Sequence, residues 1–407
     1  MKLSKFNILN DIDKTISNTV TGAILQASEE EYQNICNQEF SLLGKETIEL
    51  LYDNGIIVED DLTEVNLLRI AYNEYKLNNN TCKITIAPSL CCNFNCVYCY
   101  EKKDSYKMSH KTQEKTIEFI KEHLLTNRIK SLSLCWYGGE PTLQLEIIQY
   151  LAKKLIDFCS INDIEYSSTM ISNGYLLDND KIHLIKKLKI STIQISIDGS
   201  EKTHNERRFL INGNRTFKTI LNNVRLLASN EIYVLVRVNL DYSNINDFIK
   251  VYELFRENNY ITCYPALVTE EDTQTDIQRN LCIKNNDFQL FYNKIISTLS
   301  KDDIYKCFSE FKPRICSCAA EHKYSYLIDP KGYLYKCLND IGNMECAVGS
   351  VFDHNKNARV IAKYLGRDPF TEDECKTCPY LPMCYGGCVF EYTKKNKHTC
   401  NFTKYIY

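Results

Sequence analysis

The sequence predicts an α/β protein. Its centre reads as a partial (β/α)6 barrel, preceded by a small winged-helix-like module and followed by a cysteine-rich extension. Three observations lead there. Short β-rich runs alternate with helical patterns between residues 83 and 300, as strands and crossovers of a parallel sheet do. Residues 1–82 hold no clustered cysteines and no glycine-rich loop. Residues 301–407 hold many cysteines but no long periodic run.

The N-terminal module comes first. TVTGAILQASEEEYQNI reads as a strand or turn and then a helix with Ser28 as its N-cap. KETIELLYDNGIIV reads as a helix ended at Asn54-Gly55, and LLRIAYNEYKLNN as a third. In the central region KITIAPSL, SLSLCWYGGE, SSTMISNGY, STIQISIDG and EIYVLVRVNL read as strands. KTQEKTIEFIKEHLL, LEIIQYLAKKLIDFC and NDKIHLIKKLK read as the helices between them. In such barrels chemistry gathers at the C-terminal ends of the strands.

Composition narrows the class. The 407 residues carry 44% hydrophobic and 25% charged residues and a net charge of -3. That balance fits a soluble globular protein and makes no electrostatic case for nucleic acid or an anionic membrane. There is no run of about 18 apolar residues, and MKLSKFNILNDIDK lacks the core of a signal peptide. A cytoplasmic protein is expected. Twenty cysteines in a chain of this size then point to metal or redox chemistry rather than disulfides.

One knot of cysteines reads Cys92-Asn-Phe-Asn-Cys96-Val-Tyr98-Cys99. Three thiolates so close can share one face of a loop, as three corners of an iron–sulfur cubane require. Three ligands leave one iron open for a cofactor or substrate. A zinc knuckle or buried thiols are the alternatives, although zinc usually takes four ligands. Cys91 is off-register and reads as a bystander.

This pattern resembles the radical S-adenosylmethionine (SAM) superfamily. The resemblance implies that the open iron chelates the methionyl amine and carboxylate of SAM. Reductive cleavage then yields a 5′-deoxyadenosyl radical. Gly138-Gly139-Glu140-Pro141 resembles the family's GGEP motif, implying backbone approach to the methionyl amine and a carboxylate that binds it. Ser172-Asn173-Gly174 and Ser196-Ile197-Asp198-Gly199 resemble further strand-end motifs that contact SAM. Arg237, ending the next strand, is a candidate partner for the SAM carboxylate. Tyr98 and Tyr100 are candidates for packing near adenine, or for the core.

The C-terminal cysteines resemble the SPASM extension of the same enzymes: Cys318, Cys337, Cys375, Cys378, Cys384, Cys388 and Cys400. The resemblance implies two auxiliary [4Fe–4S] clusters, three clusters in all. Cys318, Cys337 and Cys388 would serve one, with Cys316 or Cys307 as its fourth ligand or an open site. Cys375, Cys378, Cys384 and Cys400 would serve the other. Paired zinc sites are the alternative for these spacings read alone.

Enzymes with this extension mostly modify peptides. Anaerobic sulfatase maturases of the group carry an aspartate after the cysteine corresponding to Cys337, and begin nearer their radical motif. Here Leu338 follows Cys337, and about ninety residues precede Cys92. The expected function is therefore maturation of a ribosomally made precursor peptide, through a thioether or another side-chain cross-link. Residues 1–82 would bind the precursor's leader, and a flavodoxin or ferredoxin would supply electrons. A formylglycine-forming maturase and a non-catalytic iron–sulfur protein are the alternatives. The histidines form no HxxxH-like set, and no P-loop or serine-hydrolase motif is present.

Overall fold

The computed structural model describes residues 1–101, 103–269, 280–284, 287–308, 313–353, 355–396 and 400. The chain forms two compact units that do not follow chain order. One comprises residues 1–78, 309–323 and 363–407; the other comprises 79–308 and 324–362. Residues 301–407, read in sequence as one extension, thus contribute to both.

The first unit begins with β1 (Lys2–Leu3), followed by the antiparallel sheet β2 (Asn7–Asn10), β3 (Thr15–Asn18) and β4 (Ile24–Gln26). Helix α1 (Glu29–Cys36) starts where expected. Ser28 accepts from the Glu31 amide while the Glu31 carboxylate accepts from the Ser28 amide, a capping box that satisfies two otherwise orphaned N–H groups. Helix α2 (Lys45–Asp53) ends at Asn54, and Gly55 turns the chain at φ +71°. Strand β5 (Ile57–Val58) pairs with β1, and α3 (Glu64–Leu77) follows. Phe6, Leu68 and Tyr72 form one core with Phe370, Leu381 and Tyr385, packed against Cys316 and Cys375. Helix α3 and the late cysteine loops therefore fold together, whereas α1 and α2 pack in a separate core with Ile16 and Ile57.

The second unit is the barrel. Strands β6 (Thr81–Ile86), β7 (Ser131–Trp136), β8 (Glu165–Ser172), β9 (Ile190–Ser196), β10 (Tyr233–Leu240) and β11 (Ile261–Leu267) lie side by side in chain order and parallel. Between them run α4 (His110–Thr126), α5 (Leu145–Ile161), α6 (Asn179–Lys187), α7 (Glu201–Arg207), α8 (Phe217–Ser229) and α9 (Phe248–Glu253). β6 and β11 do not pair, so this is an open six-unit barrel rather than a closed one. Beyond β6 the sheet continues through β12 (Tyr326–Ile328), β13 (Tyr333–Tyr335) and β14 (Gly349–Ser350).

The strands alternate buried and half-buried residues, with Ile84, Ile86, Leu134, Trp136, Ile193, Ile195, Val234 and Val236 in the core. β11 alternates in the same way, but Pro265 argues against a strand when its sequence is read alone. At the open edge of the parallel strands, β11 tolerates a residue that lacks an N–H. Among the described residues, no helix is long and apolar enough to cross a membrane.

Candidate active site

Parallel strands place all their C-terminal ends on one rim, and each sequence motif falls there. The cysteine knot follows β6, Gly138-Gly139-Glu140 follows β7, Asn173 follows β8, and Asp198 follows β9. A cleft of about 230 Å³ opens on this rim. Cys92, Cys96, Cys99, Tyr98, Gly138, Gly139, Ser172, Asn173, Ser196 and Arg237 line it. Ten of the predicted site residues are thus brought to one place from five strand ends.

Glu140 and Asp198 are not in the lining, although both are fully buried. The Glu140 carboxylate accepts from the Thr142 amide at 3.0 Å, the Thr142 hydroxyl at 2.5 Å, the Ser172 hydroxyl at 2.8 Å and the Asn173 amide at 2.6 Å. Burial pushes its acidity weaker, and those four donors pull it back. The carboxylate expected to bind a methionyl amine is here spent on joining the β7 and β8 loops. Donors satisfy the buried carboxylate on both oxygens.

The two glycines have a similar role. A Cβ on Gly138 would stand 2.2 Å from the Ser89 carbonyl oxygen, and one on Gly139 would stand 2.3 Å from that of Cys91. The Glu140 amide donates to the same Cys91 carbonyl at 2.8 Å. The β7 loop is thus sewn directly onto the backbone of the cysteine knot. The Cys91 side chain points elsewhere, to the Asp104 carbonyl at 3.1 Å.

Asp198 organises the opposite wall. It accepts from the Tyr98 hydroxyl at 2.5 Å and from the Asn239 amide at 3.2 Å. The Tyr98 hydroxyl also accepts from Arg208 at 2.7 Å and Asn239 at 2.9 Å. Burial keeps the Tyr98 phenol protonated. Its ring lies under the Arg207 guanidinium, 5.1 Å from the centroid. Arg237 donates to Asn239 at 2.9 Å.

Sequence reasoning passed over three lining residues with chemistry: Arg208, Glu101 and Tyr137. Arg208 is buried beside Cys96; burial opposes its charge, but Cys96, Tyr98 and Asp198 hold it protonated. The adjacent Arg207-Arg208 pair closing the helix after Ser196-Ile197-Asp198-Gly199 was the available signal. Glu101 is pushed up to about 7 by burial, while its hydrogen bond from Tyr137 works the other way. It is the carboxylate in the lining. Tyr100 joins this pair through a 3.2 Å contact between its hydroxyl and that of Tyr137. Leu338, in the turn after Cys337, also reaches the cleft.

The three knot thiols suit a shared iron–sulfur cluster. Burial pushes Cys92 up to about 12 and Cys99 up to about 11, and raises Cys96, with the neighbouring thiols adding to the rise at Cys92 and Cys99. Thiols this reluctant to ionise become thiolates when a metal centre compensates their charge. A second thiol group lies in the first unit. Cys375 is pushed up to about 12 by burial and then by Cys384, Cys378 and Cys400; Cys384 is pushed up to about 11 by burial and then by Cys378 and Cys400. Each of these two thiols thus feels the charge of its neighbours in the same cysteine set. Burial raises Cys388, with Cys318 a further cause. Cys316 packs against the core around Tyr72, and Cys337 caps the turn Leu338–Asp340 in the second unit. Cys307 is buried beside Cys263, at the end of a helix in the barrel unit.

Comparison with known proteins agrees with this geometry. Residues 86–255 match the Radical SAM superfamily. The radical SAM cyclopropyl synthase TigE of Paramaledivibacter caminithermalis is 23% identical, over 95% of this chain and 84% of its own length. A cysteine-type anaerobic sulfatase-maturating enzyme of Clostridium novyi is also 23% identical, over 73% of this chain and 84% of its own. The structure of Streptococcus suis SuiB bound to the precursor peptide SuiA superposes with a TM-score of 0.54 at 13% identity, covering 97% of both chains, which is a likeness of fold. Residues 86–255 are a radical SAM domain, and the chain is similar to radical SAM enzymes, a cyclopropyl synthase and anaerobic sulfatase-maturating enzymes among them.

Proposed function

We propose that this enzyme matures a ribosomally made precursor peptide by oxidative formation of a thioether or another side-chain cross-link. The observation that carries the reading is the cleft, where three cysteines face strand-end polar groups beside the apolar side chains of Leu267, Val268 and Leu338. Cys92, Cys96 and Cys99 would hold the SAM-binding [4Fe–4S] cluster. When bound, that cluster supplies the electron that cleaves SAM to a 5′-deoxyadenosyl radical. Ser172, Asn173 and Ser196 would orient SAM, and Arg237 and Arg208 offer cations for its carboxylate. Glu140 and Asp198 would act by holding those groups in place. The buried hydroxyls and amides around Tyr98 keep the wall rigid while a radical is present.

The late cysteines would hold two auxiliary clusters, making three in all. Cys318, Cys337 and Cys388 would belong to one, with Cys316 nearby as its fourth ligand. Cys375, Cys378, Cys384 and Cys400 would hold the other, and the mutual influence of their thiols supports that grouping. A flavodoxin or ferredoxin would deliver electrons, in a cytoplasm that keeps thiols reduced. The sheet β2–β3–β4 leaves β2 and β4 as edges, and a leader peptide can add to such an edge as a further strand. SuiB, solved with its precursor peptide SuiA, supports the peptide class. A formylglycine-forming activity is the second reading, favoured by the Clostridium novyi relative. Against it, Leu338 rather than a carboxylate follows Cys337 in the cleft.

The test is anaerobic incubation of the reconstituted protein with SAM, a reductant and a short peptide encoded beside its gene. The expected products are 5′-deoxyadenosine and a peptide lighter by two hydrogens. Replacing Cys92, Cys96 and Cys99 together by alanine should abolish both. No 5′-deoxyadenosine from the intact protein sinks the enzymatic reading. Formylglycine in a sulfatase-derived peptide, with no change in the precursor, favours the second.

A further inference from the structure

We propose that the Glu321–Arg367 ion pair, keyed by the Tyr72 hydroxyl, is the positioning element for both groups of late cysteines. The proposal rests on reading those cysteines as auxiliary-cluster ligands. Both charged side chains are fully buried, and Arg367 Nη1 stands 3.0 Å from Glu321 Oε1. Arg367 Nη2 donates to the Tyr385 carbonyl and, at 3.1 Å, to the Gly387 carbonyl. Those carbonyls lie between Cys384 and Cys388, one from each proposed cluster. Arg367 Nη1 also donates to the Ser317 hydroxyl at 3.1 Å, and that hydroxyl donates to Glu321 at 2.7 Å. Ser317 lies between Cys316 and Cys318. One guanidinium therefore grips both cysteine loops.

Helix α3 locks the pair. The Tyr72 hydroxyl donates to Glu321 Oε1, and its ring stacks on Tyr385 at 5.3 Å with 12° between planes. One turn on, Lys76 donates to the carbonyls of Leu365 at 2.8 Å and Arg367 at 2.9 Å. The gripped loop needs holding: Tyr385, Gly386 and Gly387 run at φ +44°, +73° and +82°. A non-glycine residue persists there when its surroundings dictate the backbone.

Stability alone does not call for this arrangement. Buried ion pairs are often no better than well-packed apolar side chains. Apolar groups would not supply direction, whereas the planar guanidinium fixes several donors in one geometry. Iron–sulfur potentials respond to the hydrogen bonding and exposure around the sulfurs. A geometry that fixes ligand loops is therefore a functional device. It follows that α3 belongs to the cysteine unit, and that truncating the chain through residue 78 would remove cluster support together with any leader-binding surface.

The test uses full-length protein purified anaerobically, with Tyr72→Phe and Arg367→Lys variants. Readouts are iron content, electron paramagnetic resonance of the reduced protein, and midpoint potentials. The SAM-responsive signal distinguishes the barrel cluster from the others. Arg367→Lys should lose about four to eight irons per chain, at four per cluster, while keeping the SAM-responsive signal and 5′-deoxyadenosine formation without peptide. Tyr72→Phe, which keeps the ring stack, should keep its iron but shift the auxiliary signals and potentials. Wild-type iron, spectra and potentials in Tyr72→Phe overturn the proposal, even if Arg367→Lys fails to fold. A wild-type protein whose iron is all SAM-responsive overturns the auxiliary-cluster reading, and this proposal with it.

Discussion

Glu140 accepts the backbone amide of Asn173 across 2.6 Å, which ties the loop after β7 to the loop after β8. The carboxylate of the GGEP segment is in this way an internal brace. Glu140→Gln places a donor among four donors, and at least one contact must be lost. Leaving a buried polar group unsatisfied costs about 1–3 kcal/mol. The variant should unfold at a lower temperature and bind SAM several-fold more weakly, as thermal denaturation and equilibrium dialysis would read. An unchanged denaturation midpoint with SAM binding abolished would show that the carboxylate meets SAM directly.

Gly138 and Gly139 press against the Ser89 and Cys91 carbonyls. Alanine at either position sets a Cβ about 2.2–2.3 Å from backbone oxygen, and Gly138 also sits at φ +128°. Backbone cannot yield as a flexible side chain does, so the cost should exceed the roughly 1–3 kcal/mol of ordinary overpacking. Gly138→Ala and Gly139→Ala should yield protein deficient in the SAM-responsive cluster, measured as iron per chain and by that signal. Full cluster occupancy in either variant would contradict the described contact.

The Tyr98 hydroxyl is the meeting point of Arg208, Asn239 and Asp198. Tyr98→Phe keeps the ring under Arg207 and removes all three bonds. A loss of about 1–3 kcal/mol is expected from the partners left buried. The cysteine loop should also loosen against the β9 and β10 ends, seen as faster loss of iron to a chelator. Chelation at the wild-type rate would mean that the hydroxyl network does not hold the loop.

His123 offers a pH test away from the site. It is buried among Phe119, Tyr324 and Tyr326, and burial lowers its pKa from 6.5 to about 4. A depressed histidine favours the native state above the unfolded pKa, and that advantage is lost as pH falls from 6.5 towards 4. Between pH 7 and pH 5 the linkage amounts to about 2 kcal/mol. His123→Phe should flatten the fall in stability over that window, measured by denaturant unfolding at both pH values. An equally steep fall in the variant would assign the acid sensitivity to another group.

The strands β6 to β10, the helices between them and the cysteine knot were legible because their signals are local. Period-2 burial, helix caps and ligand spacing are all written within a few residues. β11 was not legible, because an edge strand can carry Pro265, which argues against a strand when the sequence is read alone. Gly138, Gly139 and Glu140 were visible as a motif, but their inward task was not, since hydrogen-bond partners such as Ser89, Cys91 and Asn173 come from other strand ends. Arg208 has the same explanation: its neighbours Tyr98 and Cys96 lie about a hundred residues earlier.

The sequence by itself determined the class of fold and pointed to a set of cysteines and strand-end residues as candidates for the chemistry. Soft thiolate ligands at short spacing, followed by alternating strands and helices, admit few other arrangements. Tertiary structure alone decided which of those residues face the cleft and which brace it. It also decided that α3 and the late cysteine loops share one core around Tyr72, Glu321 and Arg367. Buried charges and close backbone contacts are satisfied by groups far apart in the chain, and no local pattern records where those groups will meet.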